Sequence, residues 1–306
     1  MVFGKVPVYN VKSKREVVYY AGKETQNVKL CIRAHDLGVK GTEDILSRLE
    51  QLGIDGVQMV CYKAYDDVPY APGGITDEKA RQIGWAFARE GKMIPLVGAY
   101  FNPVHSNREK AERCEAVFAE YLRHCKSMGC GYVGSETGSY NDDKWTYHPQ
   151  NRTDEAVERV AEVFSRLCDV AEANGTMVAV EGAAGHVCYN VATLAKARER
   201  IGKPTKVIFD LFNYLDEGNQ MDYLSILEEG LATFAGEILL FHMKDCKLQP
   251  GQAPHQVPLG TGDLDMEAIL SRIKAYDPEA ILTLEGTTDG DIPHAVATIK
   301  DIWERV

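Results

Sequence analysis

Four ionisable side chains each close a run of apolar β-forming residues: Glu181 ends VAVE, Asp210 VIFD, His242 LLFH and Glu285 LTLE. An ionisable group in such a place is costly to bury unless it is paired or holds a metal ion. The four are 29, 32 and 43 residues apart, close to one strand–helix unit each, so successive strands are expected to bring them together. Three carboxylates and one imidazole form a hard, oxygen-rich set. It suits one divalent cation, Mn2+ or Mg2+ in roughly octahedral geometry, with Co2+ or Zn2+ as alternatives. A lone acid at a strand end is more often a helix cap or an ion-pair partner; four at matched positions read as a metal site.

The elements that must position them recur along the chain. Apolar stretches VKLCIR (28–33), GVQMVCY (56–62), MIPLVGAY (93–100), GYVGSET (131–137), TMVAVE (176–181), KVIFD (206–210), EILLFH (237–242) and AILTLE (280–285) are each followed by a helical pattern. Eight strands joined by helical crossovers point to a parallel sheet closed into a (β/α)8 TIM barrel, whose chemistry collects at the strands' C-terminal ends. Helix limits are legible too. Thr153 is a plausible N-cap and Gly175 a stop, Gly53 and Gly129 end two other stripes, and Pro293 starts the last helix. The run GTGDLD lacks phosphate-loop spacing and reads as a turn with Asp263 or Asp265 capping the next helix. One TIM-barrel domain is expected over 1–306, with 1–26 as an N-terminal extension containing two short strands and 27–306 as the barrel.

Further side chains lie where substrate would be reached. His148, with Trp145 and Tyr147, sits in the long segment after the fourth strand, placed to act as a general base or a stacking platform. Lys63, His105 and Glu136 follow the second, third and fourth strands, and His186 comes five residues after Glu181; all four are candidate substrate contacts. Lys244 and Asp245 directly follow His242, where one of them is expected to orient that imidazole or to bind substrate. His35 and Asp36 read as a cap at the end of the first strand.

VEG (180–182), FDLFN (209–213), FHMKD (241–245), PLGTGDLD (258–265), LEG (284–286) and SETGS (135–139) together resemble the xylose-isomerase-like barrel superfamily, the sugar phosphate isomerase/epimerase group. The resemblance runs from about residue 28 to the C-terminus. It implies one divalent cation on Glu181, Asp210, His242 and Glu285. In the ketose 3-epimerases of this group the two glutamates also exchange the proton of a carbon beside the carbonyl, which makes Glu181 and Glu285 the acid–base pair. The chain departs from those epimerases in the groups that hold sugar. Asn213 stands where they have a His, Val187 beside His186 where they have a Glu, and Leu248 where they have an Arg.

Composition bounds what remains. Among 306 residues, 45% are hydrophobic and the formal net charge is −11, so nucleic acid and anionic membranes would be repelled. Multi-zinc nucleases of the same superfamily need several more histidines at strand ends and a surface tolerant of DNA, which a chain of eight histidines and acidic balance does not offer. Eight scattered cysteines without a CxxC motif read as reduced core residues of a cytoplasmic protein, and the start of the chain lacks a signal-peptide centre. The leading expectation is a metal-dependent isomerase or epimerase forming an enediolate from a ketose, keto-sugar or inosose. The alternative is a lyase on the same scaffold, either an inosose-type dehydratase or the catalytic subunit of a 3-keto-glycoside deglycosidase. A non-catalytic partner subunit is the third reading. Partners are expected to be a small carbohydrate or cyclitol and, by analogy, further copies of the chain or a partner subunit.

Overall fold

A computed structural model describes residues 28–306; the two strands expected within residues 1–26 lie outside them. Eight parallel strands form a closed barrel: β1 (Lys29–Arg33), β2 (Gly56–Met59), β3 (Met93–Gly98), β4 (Tyr132–Glu136), β5 (Met177–Glu181), β6 (Lys206–Asp210), β7 (Ile238–Met243) and, after a two-stranded ribbon, β10 (Ile281–Leu284), which pairs with β1. The ribbon is β8 (Asp245–Lys247) against β9 (His255–Val257), antiparallel. Around the barrel run α1 (Thr42–Leu52), the one-turn α2 (Cys61–Ala64), α3 (Asp77–Arg89), α4 (Arg108–His124), α5 (Asp154–Asn174), α6 (Val191–Ile201), α7 (Tyr223–Thr233), α8 (Met266–Tyr276) and α9 (Ile292–Arg305).

The expected (β/α)8 barrel is therefore present, with local differences. The second apolar stretch does not stay extended to Tyr62, because Cys61–Ala64 turns into α2. Gly129, in the left-handed region, ends a 3-10 turn (Cys125–Met128) that follows α4. Thr153 caps α5 through Ala156 N–H and Gly175 ends it. Asp265, not Asp263, caps α8, accepting from Ala268 N–H; Asp263 is occupied by Lys247 and Leu248 N–H. The ribbon was not foreseen, since three-residue strands carry too little periodicity to read.

Two packing layers explain how the site is held. Outside the strands, a large apolar layer that includes Phe118, Phe164, Phe209 and Trp303 joins sheet to helices. Inside, Leu96, Ala179, Ile208 and Leu240 form a small cluster across the barrel axis. Gly134 belongs beside them, because a Cβ there would lie 2.6 Å from Ile208 Cδ1 and 3.0 Å from Leu96 Cδ1. Strand side chains repeat every two residues. Glu136, Glu181, Asp210 and His242 each stand two residues beyond Gly134, Ala179, Ile208 and Leu240, so they form the next layer up, at the C-terminal mouth.

Candidate metal centre

One ligand atom from each of Glu181, Asp210, His242 and Glu285 lies within 4.8 Å of the others. His242 Nδ1 faces all three carboxylates, at 2.7 Å from Glu285 Oε2, 3.2 Å from Glu181 Oε1 and 3.4 Å from Asp210 Oδ2. Hard divalent ions bind oxygen at about 2.1 Å, which puts opposite ligands about 4.2 Å apart, so the set fits such an ion with small adjustments. Asp210 Oδ2 supports the fit: it is buried and makes no hydrogen bond, although Lys244 Nζ is 2.8 Å away as an ion-pair partner. Glu181, Asp210 and His242 are almost fully buried, whereas the Glu285 side chain keeps 13% exposure and so borders the mouth.

The surrounding groups fix this geometry. His242 Nε2 lies 2.7 Å from Gln58 Oε1, and Gln58 Nε2 donates to Tyr100 Oη at 2.6 Å. An amide oxygen only accepts, so Nε2 carries a ring proton and Nδ1 is the nitrogen turned to the carboxylate side, where a neutral ring would offer a metal ion its lone pair. Lys244 Nζ lies 2.8 Å from Asp210 Oδ2, 2.8 Å from Glu285 Oε1 and 3.0 Å from Asn213 Oδ1. Asn213 Nδ2 donates to Glu181 Oε1 at 2.8 Å, and its backbone N–H donates to Asp210 Oδ1. Arg33 Nη1 reaches Glu285 Oε1 at 2.9 Å while its other nitrogens grip Asp36.

The two glutamates are treated differently. Burial pushes the Glu181 carboxyl up, opposed by His242. Burial would raise Glu285 as well, but Lys244, His242 and Arg33 hold it well below the usual carboxylate range. Burial, then Glu181 and Glu285, raise Glu136 strongly. Against burial, Glu285 and Glu181 push His242 up, and Asp210 and Glu285 do the same for Lys244.

Not every predicted contact belongs to this cluster. Glu136 is opposite Glu181 in the β4–β5 register. Lys63, exposed on α2, feels the charges of Arg33, Asp36, Glu285 and Glu136 and therefore lies at the mouth. His186 Nε2 bonds Trp145 O at 3.1 Å, with the Trp145 ring edge-on to it. Asn213, expected as a substrate contact at the position of the epimerases' sugar-holding His, departs from that role, because both ends of its amide are used on Glu181 and Lys244. Asp245 does too: its oxygens accept from the N–H groups of Cys246, Gly260 and Gly262, so it shapes the 258–263 turn.

His105 is taken up by Asp143, Asp142 and Asn107 N–H. His148 caps the short 3-10 turn Pro149–Arg152 through its Nδ1, beside Tyr140. None of its hydrogen bonds reaches the acid cluster, so the catalytic role expected of it is not supported; a ring nitrogen accepting a backbone N–H is engaged locally. His35 leaves Nδ1 buried without a partner, and Asp36 ties Arg33 to Gly286 N–H. Gln58, Arg33 and Tyr100 escaped the sequence reading. The signal for Gln58 was present as one polar residue inside the buried strand GVQM.

All eight cysteines are buried and unpaired, and no helix among the described residues is long and apolar enough to cross a membrane. Among curated proteins none matches the chain in sequence. Solved structures with the same fold include IOLI protein with a bound zinc atom (TM-score 0.68, 17% identity, covering 91% of this chain and 99% of that one). L-ribulose 3-epimerase is similar (TM-score 0.67, 15% identity, 91% and 95% covered). So is the probable 3-DHS dehydratase AsbF involved in petrobactin synthesis, from Bacillus anthracis (TM-score 0.65, 12% identity, 89% and 98% covered). At these identities the likeness shows the fold alone. The family model for the xylose isomerase-like TIM barrel matches residues 46–303, and the chain belongs to that family.

Proposed function

We propose that the protein is a divalent-metal-dependent isomerase or epimerase of a ketose, keto-sugar or inosose, with Mn2+ or Mg2+ as its ion. The observation that carries this reading is the convergence of Glu181, Asp210, His242 and Glu285 within 4.8 Å at the barrel mouth. The ion, when bound, supplies Lewis acidity to a carbonyl and its neighbouring hydroxyl. Glu285 and Glu181 are the proton carriers. Two cationic neighbours, Lys244 and Arg33, keep Glu285 ionised and able to accept a proton from carbon. Glu181 has Asn213 as its donor and neither Lys244 nor Arg33 against it, so it takes up a proton more readily than Glu285 and is suited to return one. Environments that push two carboxyls apart divide the acid and base roles between them. Arg33 and Lys244 also fix the Glu285 carboxylate in place, which matters because proton transfer at carbon needs near-contact geometry.

The test is deuterium incorporation beside the carbonyl when Mn2+-loaded protein meets ketoses and inososes in deuterated water. Exchange is expected in the wild type, with a loss of at least a hundredfold, the range of general acid–base catalysis, in Glu181→Gln and Glu285→Gln. Absence of exchange across the panel would refute the reading. A lyase is the second reading, favoured by Asn213, which is spent on the ligand cluster where the epimerases have a sugar-holding His. The same proton abstraction would then be followed by departure of a neighbouring group, and product analysis separates the two.

A further inference from the structure

His186 and Glu136 form a second polar cluster at the mouth that the proton chemistry does not use. Glu136 ends β4 and is in register with Glu181 on β5, so the two side chains leave the sheet on the same side. His186 lies in the loop after β5, only 4% exposed. Its Nε2 is 3.1 Å from the Trp145 carbonyl oxygen, an acceptor only, so the proton of the neutral ring is on Nε2. Nδ1 is therefore a bare lone pair. It is buried, has no hydrogen-bond partner, and faces Glu136 Oε1 at 4.0 Å. That distance is too long for a direct hydrogen bond, and a buried polar atom without a partner is costly.

We infer that His186 and Glu136 form a subsite for one uncharged hydroxyl of the substrate, which donates its proton to His186 Nδ1 and lies against the Glu136 carboxyl. The inference rests on the reading of the site as a sugar or cyclitol enzyme and narrows its substrate: the end of the molecule reaching β4 and β5 bears a hydroxyl, not a phosphate or carboxylate. The chemistry excludes an anion there. Burial lowers His186 to about 4, so the ring carries no charge to offer near neutral pH. Glu136 carries no positive charge either, so an anionic group there would lack a counter-charge. Trp145 holds the arrangement rigid, contributing its carbonyl and a ring whose centroid is 5.4 Å from that of His186.

The test is an NMR titration of 15N-histidine-labelled, Mg2+-loaded protein with ribitol, sorbitol and myo-inositol, using His186→Phe to assign the signal. The Nε2–H tautomer is expected, and the Nδ1 resonance should move on saturation with at least one polyol. Calorimetric affinity for that polyol should fall about tenfold in His186→Phe and in Glu136→Leu, the scale of one to two lost hydrogen bonds, with Mg2+ affinity unchanged. A proton on Nδ1, a resonance that no polyol moves, or tighter binding of sorbitol 6-phosphate than of sorbitol with the same Nδ1 shift would overturn the subsite. Deuterium exchange on the same preparation keeps the two ideas apart: exchange with an unmoved His186 leaves the metal chemistry standing and removes only the subsite.

Discussion

Of the residues around the ligand cluster, Gln58 has the most influence for its size. It accepts a hydrogen bond from His242 Nε2 and donates one to Tyr100, so one amide sets which imidazole nitrogen turns to the three carboxylates. Gln58→Leu is expected to weaken Mn2+ binding about 10- to 100-fold with thermal stability changed far less, as read by metal titration of the purified variant. Burial also sets an acid limit. His35 and His186 are both lowered to about 4 from an ordinary 6.5, so the folded state binds these protons less readily than the unfolded chain. Stability should be full above about pH 6.5, fall between there and about pH 4, and level off below, by on the order of 3 kcal/mol per histidine at most. Urea midpoints measured across that range check it, and His186→Phe should flatten the slope. A midpoint that rises with acidification would contradict the burial argument.

Two register shifts between strands decide which residues reach the site. From Val207 paired with Ile238, β6 and β7 would continue with Asp210 opposite Phe241; the shift leaves Leu239 as an extra residue and puts Asp210 opposite His242. Between β2 and β3 a similar shift places Gln58 opposite Leu96, and Pro95 falls at the irregularity, where a missing N–H does little harm. Because side chains alternate, a one-residue slip turns a whole strand end to the other face. Deleting Leu239 should therefore abolish stoichiometric metal binding while circular dichroism keeps the barrel signature. Metal bound at wild-type affinity in that variant would show that the shift is dispensable. The loops after β4 and β5 are stitched together by Asn151 to Gly185 O and by Arg152 to the carbonyls of His186 and Ala184. These bonds are why the Trp145 segment packs on His186 while His148 stays with its own turn.

At the scale of the whole molecule, a protein of formal net charge −11 gathers three carboxylates at one point and offsets them with Lys244 and Arg33. A bound divalent ion should stabilise the fold by about 2.7 kcal/mol at a hundredfold excess over Kd, raising Tm by about 4 °C. Chelator should reverse the shift, and a Tm indifferent to Mn2+, Mg2+, Co2+ and Zn2+ alike would count against the site. The barrel and the four side chains that cluster at its mouth were legible because each signal is local: an apolar run of strand length, an ionisable residue closing it, and a repeat near one strand–helix unit. The Thr153 cap was legible for the same reason, whereas the choice of Asp265 over Asp263 was not. The sequence by itself thus determined the fold class and which side chains end the strands. Tertiary structure alone decided their neighbours: that Lys244 and Asn213 serve the ligands, that Gln58 orients His242, that Asp245 and His105 hold loops, and that His186 faces Glu136. Those outcomes depend on strand register and on which loops touch, and both arise from packing between segments far apart along the chain.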